Sequence, residues 1–277
     1  ARAEAYLAER EQPVVATVPD LDAATTEALL LTLRGLLSAD GRRVLHLDRG
    51  QRAFADRPDA EQVATAARAT PDHVLRIGAR SLVLSDPARA GDAIADYVAS
   101  YRAYFARHQE RLPEGLAMLS PLPRVLLVPG LGAIATGADA RTARVNAEVA
   151  ARSHLVTART LDAFGAVEWL DEADIFDFDY WPLELFKLQS APPPRAFSGH
   201  VAIVTGAESD LGRAVANRLA REGAHLILAG DQQITSLFVD MAAKAVQDAI
   251  DATIPMESNA TEPEVIAATL RVAEEAE

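Results

Sequence analysis

Cysteine is absent from the sequence, which excludes a disulfide framework, thiolate metal sites and a cysteine nucleophile. Lysine is almost as scarce: Lys187 and Lys244 are the only two among 27 basic residues. Residues 1–186 therefore hold no Schiff-base lysine, and lysine-dependent aldolase chemistry is excluded there. Positive charge as a whole is in deficit, since 27 Lys and Arg stand against 40 Asp and Glu for a formal net charge of -13. That balance speaks against a broad phosphate-neutralising surface, so neither nucleic acid nor an anionic membrane is an expected partner. No apolar run approaches the roughly 18 residues of a spanning helix, and no basic region followed by an apolar stretch opens the chain. A cytoplasmic location is expected. The sequence begins at Ala1 without Met, and a processed or partial chain is expected from that.

What is present suffices for a sizeable core: 49% of the 277 residues are apolar and 24% charged, outside the range of disordered chains. At roughly 100–200 residues per domain, this length makes one large or two smaller domains. From Pro13 onward short apolar runs alternate with longer helical patterns, which predicts an α/β domain over residues 11–170, a parallel sheet in three layers. Strands are predicted at 14–18, 43–47, 81–85 and 124–128. Helices are predicted at 22–37, 59–68, 88–111 and 139–164. The first is capped by Asp20 or Asp22 and carries Leu29, Leu30, Leu33, Leu36 and Leu37 on one face, and Pro71 stops the second. In the third, Ile94, Tyr97, Val98, Tyr101, Tyr104, Phe105 and His108 recur at spacings of three and four. This stripe reads as core or subunit contact, with an aromatic binding platform as the alternative. The fourth has Val145, Val149 and Val156 in line.

The stretch 129–137 carries Gly130, Gly132 and Gly137 between a strand and a helix, which reads as a turn or as a phosphate cradle of backbone N–H groups. Residues 171–198 change character to acidic and aromatic, DEADIFDFDYWPLELFKL, before the triple proline Pro192–Pro194, an extended spacer. A linker is expected there, with Trp181, Leu183 and Leu185 docking it onto a domain. Its carboxylates Asp171, Glu172, Asp174, Asp177 and Asp179 read as a solvated face, or as oxygen ligands for a hard cation.

Beyond the linker, residues 200–205 read as a buried strand, TGAESDLG as a turn and 213–222 as a helix with Leu211, Val215 and Leu219 facing the sheet; Gly223 closes the helix ahead of a second strand. Gly206 and Gly212 permit a tight turn, close approach of a diphosphate and close contact of helix on strand. The helix N-terminus adds free N–H groups and partial positive charge. In this spacing residues 199–277 resemble the N-terminal part of a short-chain dehydrogenase, a partial Rossmann fold. TPDH (residues 70–73), PRVLLVPGLGAIATG (123–137) and DYWPLELFKL (179–188) extend the resemblance to a fusion of a class II aldolase, of the rhamnulose-1-phosphate aldolase kind, with such a dehydrogenase. It covers nearly the whole chain.

The resemblance implies a fragment of an enzyme of deoxysugar breakdown that acts on a small-molecule substrate with NAD or NADP, NAD being the expected one, and a homo-oligomer. It implies cofactor contacts at Gly206, Ser209, Asp210, Leu211, Gly212 and Asp231. Departures accompany it. Asp210 stands at the middle glycine position, where its charge opposes a diphosphate; alternatively, Asp210 or Ser209 is an N-cap in place of a ligand. Gly230 takes the place of the ribose-binding acid, one residue before Asp231. Ser258 and Asn259 replace the adenine-contacting pair. No Tyr-x-x-x-Lys occurs and the six histidines never fall two apart, so neither a catalytic residue nor a metal ligand is assigned. His73 in TPDH is a substrate or interdomain contact, or a capping or packing residue. A non-catalytic assembly module with a decayed nucleotide site is the alternative function.

Overall fold

The computed structural model describes residues 2–275 except 15, 17, 66–69, 113, 190–192, 194 and 258. Arg68 of the second predicted helix, Pro192 and Pro194 of the triple proline, Ser258 and Glu277 lie outside the described residues. The chain divides into two units, Ala1–Gly137 with Arg141–Ala191, and Ala138–Ala140 with Pro192–Glu277. Among the described residues no helix is long and apolar enough to cross a membrane.

The first unit begins with α1 (Arg2–Ala8) and α2 (Ala23–Leu37), followed by β1 (Val44–Asp48), α3 (Arg52–Ala55), α4 (Ala60–Thr65), α5 (Pro71–Ile77) and β2 (Leu82–Val83). Then come α6 (Ala90–His108), β3 (Val125–Val128), β4 (Gly132–Gly137), α7 (Ala140–Phe164), α8 (Glu172–Asp179) and α9 (Pro182–Gln189). The Asp22 carboxylate accepts from the Thr25 N–H at 2.9 Å and caps α2, and Leu29, Leu33 and Leu37 are buried. They meet Leu126, Val128 and Ile134 of the sheet and Ile94 of α6. Because strand side chains alternate, Val125 and Leu127 turn to the other face, against Ile77, Ala147 and Ala150 and against Ala55 and Ala64. All four β3 residues are buried, so both faces are covered.

The sheet is mixed rather than parallel: its order is β1-β4-β3-β2, and only β2 and β3 run parallel. Direction is set by a turn. Pro129–Leu131 joins β3 to β4, Leu131 N–H donates to Val128 O at 3.0 Å, and Gly130 has φ +76. Parallel pairing needs a crossover of about a dozen residues, so this short connection forces a hairpin. The phosphate-cradle reading of 129–137 falls with it: Gly130 N–H donates to Asp56 Oδ1 at 2.7 Å, and 132–137 is a buried strand.

Other expectations are corrected. The described residues of 14–18 form no strand; Pro13 and Pro19 flank them without N–H groups for a ladder, and Val18 O accepts from Arg52 Nη2 at 2.6 Å. Pro71 opens a helix instead of stopping one, since its missing N–H costs nothing at the first position. Thr70 is the cap, its Oγ1 accepting from the His73 N–H and lying 2.5 Å from His73 Nδ1. In α7 the buried residues are Ala143, Asn146, Ala147, Ala150, Ser153, His154, Thr157 and Ala158, while Val156 is exposed. Small side chains let α7 close on the sheet, and a Cβ on Gly137 would lie 2.3 Å from Ala143 N.

The expected linker holds α8 and α9, which belong to the first unit. Phe176, Tyr180 and Leu185 join Tyr101 and Tyr104 of α6 in one cluster, so that stripe is core; Trp181 and Leu183 remain exposed. Of the acidic cluster, Asp171 caps α8, while Glu172 and Asp177 pair with Arg107 and Arg111. Asp179 is buried and accepts from Tyr101 Oη at 3.1 Å. Tyr101 has one proton, so Tyr180 Oη donates to it at 2.9 Å and in turn accepts from the Leu119 N–H. Burial pushes the Asp179 carboxyl from 3.8 up to about 6, against the opposing pull of Arg124 and the Tyr101 bond. Between these values the folded state holds a proton that the unfolded state has lost, so stability falls as pH rises through the window. Asp179→Asn is expected to stabilise the first unit at pH 7 by about 1–3 kcal/mol and to flatten that slope; a urea midpoint lowered at pH 7 contradicts this.

The second unit runs β5 (Val201–Thr205), α10 (Asp210–Arg221), β6 (His225–Gly230), α11 (Gln232–Met241), α12 (Lys244–Gln247), β7 (Ile250–Pro255) and α13 (Glu262–Glu275). Its three strands are parallel in the order β5-β6-β7. Helices cover both faces of β6: Leu226 and Leu228 meet Ala216, Ala220, Phe238 and Val246, and Ile227 and Ala229 meet Ile254 and Ala268. On α10 the sheet-facing residues are Gly212, Ala216 and Ala220, whereas Leu211 and Val215, expected to face the sheet, are exposed. Only small residues let this helix approach β5. Gly223, at φ +94, ends α10 with its N–H on Ala220 O.

Candidate functional site

Of the predicted cofactor residues, Asp231 at the end of β6 lines a crevice of about 440 Å³, with Glu208, Met256, Glu257 and Asn259, while Gly206, Ser209 and Gly212 form the turn and helix start after β5. Ligands of open parallel sheets bind at such strand ends. Gly206, with φ +64, makes the turn out of β5. A Cβ on Gly212 would lie 2.1 Å from Gly206 O, so the helix start and the turn touch backbone to backbone. Ser209 is the N-cap: its Oγ accepts from the Gly212 N–H at 3.0 Å and donates to Gly206 O at 2.8 Å. Asp231 caps α11, its Oδ1 accepting from the Ile234 N–H at 3.0 Å.

Asp210 lies elsewhere. Its side chain is 95% exposed and pairs with Arg213, and neither it nor Leu211 is among the described residues lining the crevice. Beside Asp231, the crevice is lined by Glu208 and Glu257, two carboxylates that sequence reasoning passed over, and Glu208 is the one that lies in the turn after β5. The Glu208 Oε2 is buried without a hydrogen-bond partner among the described residues, and a Cβ on Gly230 would lie 2.0 Å from it. Glycine at 230 makes room for that carboxylate, a signal the sequence carried only as the missing ribose-binding acid. The Ser209 hydroxyl thus takes up the Gly212 N–H of the turn, and Glu208 takes up the space over Gly230.

In the first unit His154 is fully buried. Gln51 Nε2 donates to Asp48 Oδ2 at 2.9 Å and to Ala147 O at 3.1 Å, so its Oε1 accepts from His154 Nδ1–H at 3.0 Å. His154 Nε2 is then an acceptor for Ser81 Oγ–H at 3.1 Å. These bonds tie α7 to the ends of β1 and β2. Among the described residues no three His, Asp or Glu side chains are grouped to hold a metal ion.

Residues 24–188 match the family model described as "Aldolase class II, second domain". The chain belongs to that class II aldolase family. The match to the aldolase second domain runs from α2 to α9 and stops before Pro192, where the main segment of the second unit begins. A separate model, "Bacterial archaeo-eukaryotic release factor family 10", matches residues 207–274. The chain is 28% identical over 248 residues to an uncharacterized oxidoreductase, YuxG, of Bacillus subtilis (strain 168), an alignment covering 83% of this chain and 35% of that protein. It therefore spans about a third of that relative's length. No solved structure matches it.

Proposed function

We propose that this class II aldolase family chain is the central part of an enzyme of deoxysugar breakdown that joins an aldolase of the rhamnulose-1-phosphate type to an NAD-dependent short-chain dehydrogenase. In this reading the second unit contributes half of the dinucleotide-binding fold. The observation that carries it is the turn after β5, where Gly206 has positive φ and Gly212 has no room for a Cβ, beside Asp231 at the end of β6. The parent cleaves a ketose phosphate to dihydroxyacetone phosphate and lactaldehyde, then oxidises the aldehyde or a related alcohol, and a bound nicotinamide dinucleotide supplies the hydride acceptor. The work of this chain is binding and orientation, with no acid or base assigned to it. First-turn N–H groups of Asp210 and Leu211 would hold the diphosphate, Gly212 lets the helix start close on the turn at Gly206, Ser209 holds that turn, and the second carboxylate oxygen of Asp231 would accept from the ribose hydroxyls. Glu208, Asp231 and Glu257 line the crevice with no Lys or Arg among its described residues, which repels a 2′-phosphate and supports NAD over NADP. A cytoplasmic homo-oligomer is part of the reading, with the oligomer to be measured by light scattering.

Calorimetry with millimolar NAD tests the site. Glu208→Ala is expected to tighten binding about tenfold by removing a like charge from the crevice, whereas Asp210→Gly changes it less than about twofold, because that carboxylate is solvated and paired. Absence of heat and of thermal shift with NAD and NADP, in both the parent chain and Glu208→Ala, would reject the dinucleotide reading. A second reading, a non-catalytic assembly module with a decayed nucleotide site, is favoured by the placement of Ser209 and Glu208 and by the match of residues 207–274 to a family other than dehydrogenases. Such a module predicts that null titration.

A further inference from the structure

A second cavity, of about 300 Å³, lies wholly within the first unit, and Arg80, Arg107, Trp169, Leu170, Glu172 and Ile175 are among its lining. Its two arginines differ. Arg107 meets Glu172 through two bonds at 2.8 Å, and His108 reaches the same carboxylate at 2.8 Å, so that pair is closed on itself. Arg80 is half-buried, and none of its guanidinium N–H groups donates to a described residue. The buried or half-buried guanidinium groups of Arg43, Arg52, Arg57, Arg124, Arg159 and Arg213 each donate to an oxygen, as a charge that has lost part of its water requires. With 40 acidic residues against 27 basic ones, carboxylates to pair Arg80 are not scarce, yet folding brings none to it among the described residues.

Tyr97 holds Arg80 in place. Its Oη donates to Arg80 O at 3.0 Å, and the guanidinium carbon lies 5.0 Å from the centroid of its ring, a cation–π contact. Such a contact uses one face of the guanidinium and leaves the in-plane N–H fork open, and that fork matches the two oxygens of a carboxylate. Part of the remaining lining is apolar: Trp169 and Leu170 are exposed and Ile175 is buried. An unpaired cation and an exposed Trp–Leu pair on one cavity suit a ligand with an anionic head and an apolar tail. Because Glu172 and Arg107 cancel, Arg80 leaves a single positive charge in the lining, which favours a monoanion over a phosphate dianion.

We propose that this cavity binds a short aliphatic carboxylate, its carboxylate on the in-plane fork of Arg80 and its chain against Trp169, Leu170 and Ile175. The volume is at the lower end for small-molecule sites, which suits octanoate better than a long-chain fatty acid. Binding there does not depend on the dinucleotide reading of the second unit. Calorimetry on the 277-residue chain with octanoate, with 1-octanol, which has the chain without the charge, and with inorganic phosphate separates head from tail. Saturable binding of octanoate is expected, about tenfold tighter than that of 1-octanol, and phosphate does not compete with it. Arg80→Gln brings octanoate down to the affinity of 1-octanol and leaves 1-octanol within about twofold of its parent value, the sign of an intact cavity. Arg80→Lys, which keeps the charge and loses the fork, falls between the two. Trp169→Ala weakens octanoate and 1-octanol alike, by about fivefold. No saturable heat with octanoate, parental octanoate affinity in Arg80→Gln or undiminished affinity in Arg80→Lys, or displacement of octanoate by phosphate overturns the proposal.

Discussion

Gly212→Ala is expected to lower the stability of the second unit by about 3 kcal/mol and, on the proposed function, to abolish the heat of NAD titration with it. The added methyl group would sit 2.1 Å from Gly206 O, 2.8 Å from Gly206 C and 2.9 Å from Ala207 Cα. All three are main-chain atoms, so no rotamer relieves the clash. Moving α10 outward would pull Ala216 and Ala220 off Leu226 and Leu228, and moving the turn would break the Ala207 N–H bond to Ala229 O. Hydrogen exchange of the Leu226 and Leu228 amides in β6 reads the effect directly, with acceleration of about a hundredfold expected. Unchanged exchange would mean that the turn has slack that the geometry denies.

Arg57→Met costs the first unit about 3–5 kcal/mol. The Arg57 side chain is 5% exposed and holds two carboxylates at once. Nε and Nη2 reach Asp59 at 2.7 and 2.9 Å, and Nη1 and Nη2 reach Asp162 of α7 at 3.0 and 2.8 Å. Removing the guanidinium leaves the buried Asp162 charge unmet and in repulsion with Asp59, whereas Arg57→Met combined with Asp162→Asn recovers most of the loss. Arg57 holds the Asp59 carboxyl below its usual range. That contribution is present above the unfolded value of 3.8 and lost as pH falls, so the acid slope should shrink in the variant. Urea unfolding followed by the emission of Trp169 and Trp181, the chain's two tryptophans and both in the first unit, measures it. A midpoint displaced by less than about 0.5 kcal/mol would show the pair to be of surface worth only.

Much of the local structure was legible in the residues, because neighbours in the chain decide it. Asp22 and Thr25 with the leucines of α2 were sufficient for a capped amphipathic helix. The run from Val201 through Gly206 and Gly212 to Gly223 was sufficient for strand, turn, helix and stop, but not for the strand's expected burial, since Val201 and Ile203 are exposed. Periodicity and capping act over about four residues, which is why those readings survived. Where proline stood, the same rules were ambiguous: Pro71 is equally compatible with ending one helix and starting the next, and Thr70 settles it only through its bond to the His73 N–H.

What the sequence determined by itself was the α/β class, the four longer helical patterns of the first unit with the leucine face of α2, and the strand–turn–helix around Gly206. The tertiary structure alone decided the direction of the first sheet and which carboxylate enters the crevice. Strand direction depends on the tight turn at Gly130 meeting Asp56, 74 residues away in the chain. Asp210 turns out to Arg213 while Glu208 turns in over Gly230, a choice made by the space that β6 leaves open. Backbone propensity and spacing act on residues adjacent in sequence, but the side on which a charge is desolvated is set by atoms that only folding brings near.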